Sequence, residues 1–552
     1  MEGKIEVIDL IGGGGFANVY LVKSKEFQST LAVKTYKEEY FDNPEVRTRF
    51  IKEAKIWMDI GAHPNIVRIF YVDSKSRRMY IGMECIFSNQ DTPNTLEGYL
   101  RLKQITLDQS IRWAIQFCHG MEYAYSKGLK AHRDIKPSNI MIDVNKTVKI
   151  SDFGLSSALN PINSNKNIGD EREKNDLTRQ SFSTKQGDCF GTPPYMSPEQ
   201  FVDFSHCDVR SDIYSFGIVL FQLCNDGNVP FSLENVEEGS CGFQEEPWKK
   251  MQDLHTNAPI PKFDSLLQPI VKKCLEKNPD NRYQSFIELR EDLEQIFFII
   301  TGEKLLAPNP SVYTIGDLIN RGNSYSRMGF LNEAIECYNI VLAINPNQTD
   351  AINGKAVCLS KQGFDKEAII LFNNAIILAP NDPMFLLNRG NYYFKREQYP
   401  QALSDYQNSI KRDSTDSFVW SNIGTCLLHM EKFNDSLFYF DKALEIEADL
   451  VETIGNKGVA LLKLDRYEDA LKCFDKALKL DPIFTQIWHN KGLCHSALKD
   501  NDTAIQCFDR AIEIDNNFWL SYQSKSIALR ELGRYDDADE CQVQAQNVIK
   551  RK

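Results

Sequence analysis

The sequence predicts a multidomain chain of two unlike parts: a mixed α+β part of about 300 residues, then an all-α solenoid. Three observations carry that prediction. At 552 residues the chain is too long for one compact core. Its back half repeats every 34 residues, the mark of stacked supersecondary units. Its front half alternates strand-like and helix-like stretches around four consecutive glycines, in "LIGGGGFANVY".

Composition narrows the functional classes. Hydrophobic residues make up 42% and charged residues 25%, ordinary for a globular protein. The net charge of −12 is shared equally by residues 1–300 and 301–552, so no basic half or tail favours nucleic acid or an anionic membrane as main partner. The apolar run "IFFII" at 296–300 falls far short of a membrane span, and acidic residues break up "MEGKIEVIDL" as a signal peptide. A cytoplasmic chain is expected.

From the amino terminus, "VIDLIGGGGFANVYLVKSK" reads as two β-rich segments joined by glycines. Such a run lets backbone approach phosphate groups without Cβ interference. "TLAVKTYK" then sets Lys34 on an apolar strand, where a lysine needs a negative partner; Glu53, in the helical "RTRFIKEAKIWMDIG", can supply one. The amphipathic "SIRWAIQFCHGMEYAYSKG" leads into the loop "AHRDIKPSNIMI" and the strand-like "TVKISDFG". In that loop Asp134 precedes Lys136 by two residues and Asn139 by five, and Asp152 follows. Asn139 and Asp152 are oxygen donors suited to Mg²⁺. A carboxylate and a lysine beside them suit in-line phosphoryl transfer, which needs charge neutralised and a hydroxyl positioned. Each residue taken singly is ordinary for a loop or strand; the ordered combination is not.

On these motifs residues 1–300 resemble a eukaryotic-type serine/threonine protein kinase domain. The resemblance implies a bilobal fold, with 1–86 as the N-lobe and hinge and 87–300 as the C-lobe. It implies an ATP site formed by Ile11, Gly12, Gly13, Gly14, Gly15, Phe16, Ala17, Asn18, Val19, Ala32, Lys34, Glu53, Met83, Glu84 and Ile86. Ala17 stands where many members have a third glycine. By the same resemblance Lys34 holds the α and β phosphates and pairs with Glu53, and Met83 is the gatekeeper. Asp134 is the catalytic base, Lys136 meets the γ-phosphate, and Asn139 and Asp152 bind Mg²⁺. "GTPPYMSPEQ" receives substrate, Glu199 bridges to Arg282, and Asp212 braces the catalytic loop. A lysine two places after Asp134, with Thr192 reaching both, matches serine/threonine rather than tyrosine specificity.

Asp152 to Glu199 spans 48 residues whose middle is polar and charged. Arg133, just before Asp134, marks by resemblance a kinase that an activation-segment phosphate can switch on. Ser181, Ser183 and Thr184 are the expected acceptors. Constitutive activity with a polar insert is the alternative.

Residues 315–552 form seven rows of 34, opening at Ile315, Thr349, Pro383, Ser417, Val451, Thr485 and Trp519. Column 8 is small (Gly322, Ala356, Gly390, Gly424, Gly458, Gly492, Ser526), as is column 20, led by Ala334 and Ala368. Column 24 is aromatic from Tyr338 to Phe508, with Gln542 in the last row. Helical spacing on both sides of a turn predicts one hairpin per row. The pattern resembles the tetratricopeptide repeat, joined to the first part by a linker at 301–314. All seven cysteines here fall in columns 10 and 23, as small packing residues do.

In column 6, Asn388, Asn422, Asn456 and Asn490 occupy consecutive rows. An amide both donates and accepts, so such a ladder can bind an extended peptide. It resembles the asparagine ladder of the O-linked N-acetylglucosamine transferase superhelix. The alternative is that asparagine is simply common at this column. The basic residues that chaperone-tail-binding members use to hold a carboxylate end are not in place. The resemblances together imply ATP and Mg²⁺ as cofactors, protein substrates, and a peptide or protein bound by the array to recruit substrate or regulator. Restraint of the kinase or dimerisation through the array is also open. A scaffold built on a weak pseudokinase is the other functional class, although it would sit oddly with retention of Lys34, Asp134, Asn139 and Asp152.

Overall fold

A computed structural model describes residues 5–13, 17–24, 29–41, 43–75, 78–87, 93–153, 192–204, 207–233 and 246–551. The chain separates into two compact units, Met1–Ile340 and Val341–Lys552.

The first unit opens on a five-stranded antiparallel sheet. Its strands are β1 (Ile5–Gly13), β2 (Ala17–Ser24), β3 (Ser29–Tyr36), β4 (Ile69–Lys75) and β5 (Arg78–Met83), in the order β1-β2-β3-β5-β4. β-Branched and aromatic residues populate these strands, as a pleated, half-buried surface favours. Helix α1 (Pro44–Ile60) lies between β3 and β4 in sequence. Asn43 caps its start by accepting from the Glu45 and Val46 amides, Pro44 fits the first turn, and Gly61 ends it at φ +87°. Its buried residues Phe50, Glu53, Ala54, Trp57, Met58 and Ile60 follow helical spacing, with a carboxylate among apolar groups.

After the sheet come α2 (Leu96–Leu102), α3 (Leu107–Ser126) and a short hairpin of β6 (Ile140–Ile142) and β7 (Val148–Ile150). Then follow α4 (Pro198–Val202), α5 (Val209–Cys224), α6 (Glu246–Asn257), α7 (Gln268–Cys274) and α8 (Phe286–Thr301). Phe117 of α3 stacks on Phe216 of α5 with centroids 4.1 Å apart, and Phe286 of α8 meets Phe117 edge-on. Burying such rings contributes about 1.5–3 kcal/mol each, which fixes α3 and α5 as the floor beneath the loop at 131–139. The unit also takes in α9 (Ile315–Met328), the first helix of the 34-residue rows. The apolar end of α8 is no span: among the described residues no helix is long and apolar enough to cross a membrane.

Helix α10 (Leu331–Ile344) follows α9, and six further helix pairs run from Thr349–Lys361 with Asp365–Leu378 to Trp519–Glu531 with Tyr535–Arg551. The first helix of every pair starts at the residue that opens its 34-residue row. Column 8 explains itself here. A Cβ on Gly424 would stand 2.6 Å from the Phe440 ring, and one on Gly458 2.5 Å from Phe474. The missing side chain is where the ring sits. Those contacts close each hairpin on itself; neighbouring hairpins are tied by Lys457–Asp441, Lys491–Asp475 and Lys525–Asp509, at 2.5, 2.7 and 2.5 Å.

Candidate active site

Strand β3 delivers Lys34, held between its neighbours by pairing with Val19 of β2 and Ile81 of β5. Lys34 is buried, and its ammonium lies 2.5 Å from Glu53 Oε1 and 3.0 Å from Asp152 Oδ1. Burial pulls the lysine down, but the two carboxylates more than offset it and hold its pKa well above the usual range. Burial likewise pushes the Asp152 carboxyl up, yet Lys34, helped by His132 and Lys136, brings it down to about 2. Burial keeps Glu53 above its ordinary range even against the pull of Lys34. At neutral pH the site therefore holds a fixed cation beside a fixed anion.

The loop after α3 brings the other polar groups together. Asp134 Oδ2 accepts from Asn139 Nδ2 at 2.9 Å and lies 2.8 Å from Lys136 Nζ. Thr192 Oγ1 donates to Asp134 Oδ1 at 3.3 Å and accepts from Lys136 Nζ at 3.0 Å. Asn139 also donates to the Asp134 carbonyl, so its amide nitrogen is committed and its oxygen is the end free for a cation. That oxygen and the ionised Asp152 carboxylate are hard donors of the kind Mg²⁺ prefers, so the residues fit the ion.

Asp212 explains why the loop holds its shape. Buried at the start of α5, it accepts from the His132 amide at 2.6 Å, the Arg133 amide at 2.8 Å and the Tyr125 hydroxyl. Arg133 and Asp152 are both non-glycine residues at left-handed φ, +68° and +61°. Such conformations cost about 1–3 kcal/mol and persist where surrounding bonds over-determine them, as Asp212 does for Arg133. Glu199 and Arg282 form a two-pronged pair, at 2.7 and 3.0 Å, which Ser211 extends by donating to Glu199 at 2.7 Å. Although burial opposes it, Arg282 holds the Glu199 carboxyl below its ordinary range.

Above Lys34, Gly12 pairs with Val19 and Gly13 with Asn18 across β1 and β2, while Ala32, Met83 and Ile86 are buried. Ile11 is 47% exposed. Glu84 is anchored by Lys149 at 2.7 Å and donates its amide to the Arg68 carbonyl. Gly14, Gly15 and Phe16 lie outside the described residues, as do Ser181, Ser183 and Thr184. Asn388, Asn422, Asn456 and Asn490 are half-buried on the first helices of their pairs. Asn422 donates to Asn391 and Asn456 to Thr425, each at 3.3 Å across to the preceding hairpin.

Sequence reasoning passed over Tyr125 and His132, which complete the Asp212 cluster, and Gln200, which donates to the Arg133 carbonyl at 3.1 Å. A signal existed for His132: a histidine flanked by "GLKA" and "RDI" is fully buried and packs on Phe153 at 4.8 Å. Tyr125 carries no such signal, because its role depends on a partner 87 residues away.

A family model described as protein kinase domain matches residues 5–295. Tetratricopeptide-repeat models match 319–383, 451–484 and 485–518. Similar curated proteins include the serine/threonine-protein kinase PknD of Protochlamydia amoebophila, 31% identical over 299 residues covering 52% of this chain and 29% of that protein. A probable serine/threonine-protein kinase of Clostridium acetobutylicum is 29% identical over 297 residues, 54% of this chain and 40% of the relative. For PrkC of Bacillus subtilis the figures are 28% over 303 residues, 54% and 41%. The chain thus spans less than half the length of each of these relatives.

Proposed function

Because the chain belongs to the protein kinase family, we propose that it is a serine/threonine protein kinase, passing the ATP γ-phosphate to hydroxyls of other proteins. The observation that carries this reading is the set of contacts joining Lys34 to Glu53 and Asp152, and Asp134 to Lys136, Asn139 and Thr192. These contacts support the reading, because phosphoryl transfer needs positive charge against the phosphates and a carboxylate near the attacking hydroxyl.

In this reading Lys34 orients the α and β phosphates, and Ala32, Met83 and the backbone at Glu84 and Ile86 hold the adenine. Asn139 and Asp152 would hold Mg²⁺, which when bound would supply positive charge against the phosphates. Asp134 accepts a hydrogen bond from the substrate hydroxyl in place of Thr192. It takes the proton as the new O–P bond forms and the bond to the β-phosphate oxygen breaks, leaving ADP. Lys136 balances the charge carried by the moving phosphoryl group. The reading places the reaction in the cytoplasm, where ATP is supplied. Phosphate on Ser181, Ser183 or Thr184 would pair with Arg133 to order the substrate segment.

The repeat array, in the same reading, recruits a protein or peptide and raises its concentration near Asp134. The purified chain, given labelled ATP and Mg²⁺, should mark a serine/threonine peptide, and Asp134→Asn should cut the rate at least about 100-fold. Absence of both transfer and nucleotide binding overturns the reading.

A further inference from the structure

Helix α1 does not stand alone behind the catalytic pair. Within the first compact unit, α9 lies along its last turn and along β4, which is an edge of the sheet. Tyr325 donates its hydroxyl to Asp59 Oδ1 at 2.6 Å, and Glu333 pairs with Lys55 at 3.1 Å. Asp317 pairs with Arg68 at 2.6 Å, and Arg327 with Asp73 of β4 at 2.8 Å. Ser324 accepts from the Val72 amide at 2.8 Å, giving an edge-strand donor a buried partner. Arg321 ties the set together by donating to the hydroxyls of both Tyr313 and Tyr325. At Gly61, where α1 ends, an added Cβ would stand 2.8 Å from the Tyr313 hydroxyl.

The angular positions matter. At about 100° per residue, Lys55 and Asp59 lie about 200° and 240° around α1 from Glu53. The tethers therefore hold the face opposite the one that presents Glu53 to Lys34. Any roll or outward slide of α1 that withdraws Glu53 has to stretch bonds to Tyr325 and Glu333, and these are anchored through Asp317, Ser324 and Arg327 to β4 and its approach. Trp57 carries the same restraint inward. It lies one turn beyond Glu53, donates to the Val67 carbonyl at 2.9 Å and packs on Phe153, next to Asp152.

We propose that Tyr325, Asp317 and Glu333 are positioning residues for phosphoryl transfer, so that the first repeat hairpin is a working part of the catalytic unit, holding Glu53 on Lys34. This rests on the phosphotransfer reading above. It goes beyond recruitment, because it makes the start of the array necessary for the rate of transfer to any substrate, including one the array never touches.

The test uses the full chain and a short generic serine/threonine peptide. Asp317→Asn, Tyr325→Phe and Glu333→Gln together keep side-chain size while removing the tethers. We expect kcat to fall about 10-fold with the peptide KM unchanged, and amide exchange across residues 44–60 to speed up. In a Glu53→Gln background, where the pair is already broken, the same three substitutions should change kcat less than 2-fold. A merely structural brace would give the same loss in both backgrounds, and that result overturns the proposal, as does an unchanged kcat. If the triple variant fails to fold, Tyr325→Phe alone keeps the ring in place. It should show a 2- to 3-fold loss that disappears in the Glu53→Gln background, and persistence of that loss there is equally fatal. Wild-type chain that transfers no phosphate would instead sink the phosphotransfer reading, a distinct outcome.

Discussion

The two compact units solve opposite problems with their polar groups. Among the described residues, the first buries Lys34, Glu53, Arg133, Asp212 and Arg282, whereas the second buries one acid, Asp405, clamped by Arg389 at 2.7 and 2.8 Å. Buried charge is costly unless matched by partners. A unit that must present charges at fixed points accepts that cost and depends on complete networks. A unit that only stacks hairpins fills its interior with alanine, glycine and aromatic rings. The first should fail through lost partners, the second through lost volume.

The sharpest way to break this contrast is Asp212→Ala. It leaves the His132 and Arg133 amides and the Tyr125 hydroxyl without their acceptor. Unsatisfied buried donors cost about 1–3 kcal/mol each, so a stability loss of about 3–5 kcal/mol and at least a 100-fold fall in peptide phosphorylation are expected. Denaturant melts and a steady-state assay check both. The matching experiment in the second unit is Phe474→Ala, which empties a fully buried site packed with Ile454, Ala477 and Ile487. A loss of about 3–5 kcal/mol is expected, read as exchange around 451–490, while transfer to a short generic peptide stays at the wild-type rate. A drop in that rate would blur the contrast.

Acid should separate the units next. Burial holds His63 at about 4 and His255 at about 3 in the first unit, with His119 also lowered; in the second unit burial holds His489 at about 4. A histidine kept neutral in the fold but protonated when unfolded contributes stability that is complete above about pH 6.5 and drains away as pH falls toward the folded value. Each can cost up to about 1.4 kcal/mol per pH unit across that window. Melting followed from pH 7 to pH 5 should therefore weaken the first unit more than the second. Equal slopes would refute this.

How much of this was legible beforehand follows the same division. The row starts and the small and aromatic columns could be read directly, because a 34-residue period restates each position seven times, but the rings were expected between neighbouring hairpins and instead sit on the column-8 position of their own row, Phe440 on Gly424 and Phe474 on Gly458. That Lys34 would meet Glu53 and Asp152, and Asp134 Asn139, could be read because their order along the chain resembles that of a protein kinase domain. The contacts of Val72 with Ser324 and of Asp59 with Tyr325 could not, since their partners stand 252 and 266 residues apart and neither pair has an unusual residue to mark it. The asparagine ladder was half legible. The column was evident, but not that Asn422 and Asn456 each spend a donor on the preceding hairpin. The smallest expected effect belongs there. Asn422→Ala with Asn456→Ala should weaken peptide capture by about 1 kcal/mol per residue with melting unchanged. If melting falls and capture holds, the amides are staples and nothing more.

The lysine–aspartate ties between hairpins have a consequence for how this chain can change length. Each runs from column 7 of one row to column 25 of the row before, so Lys457 meets Asp441 and Lys491 meets Asp475. Excising 451–484 in one piece would set Lys491 at the same 16-residue separation from Asp441 that Lys457 has now, and orphan neither charge. Removing either the row that opens at Val451 or the row that opens at Thr485 therefore leaves the joints among the last four rows electrically closed.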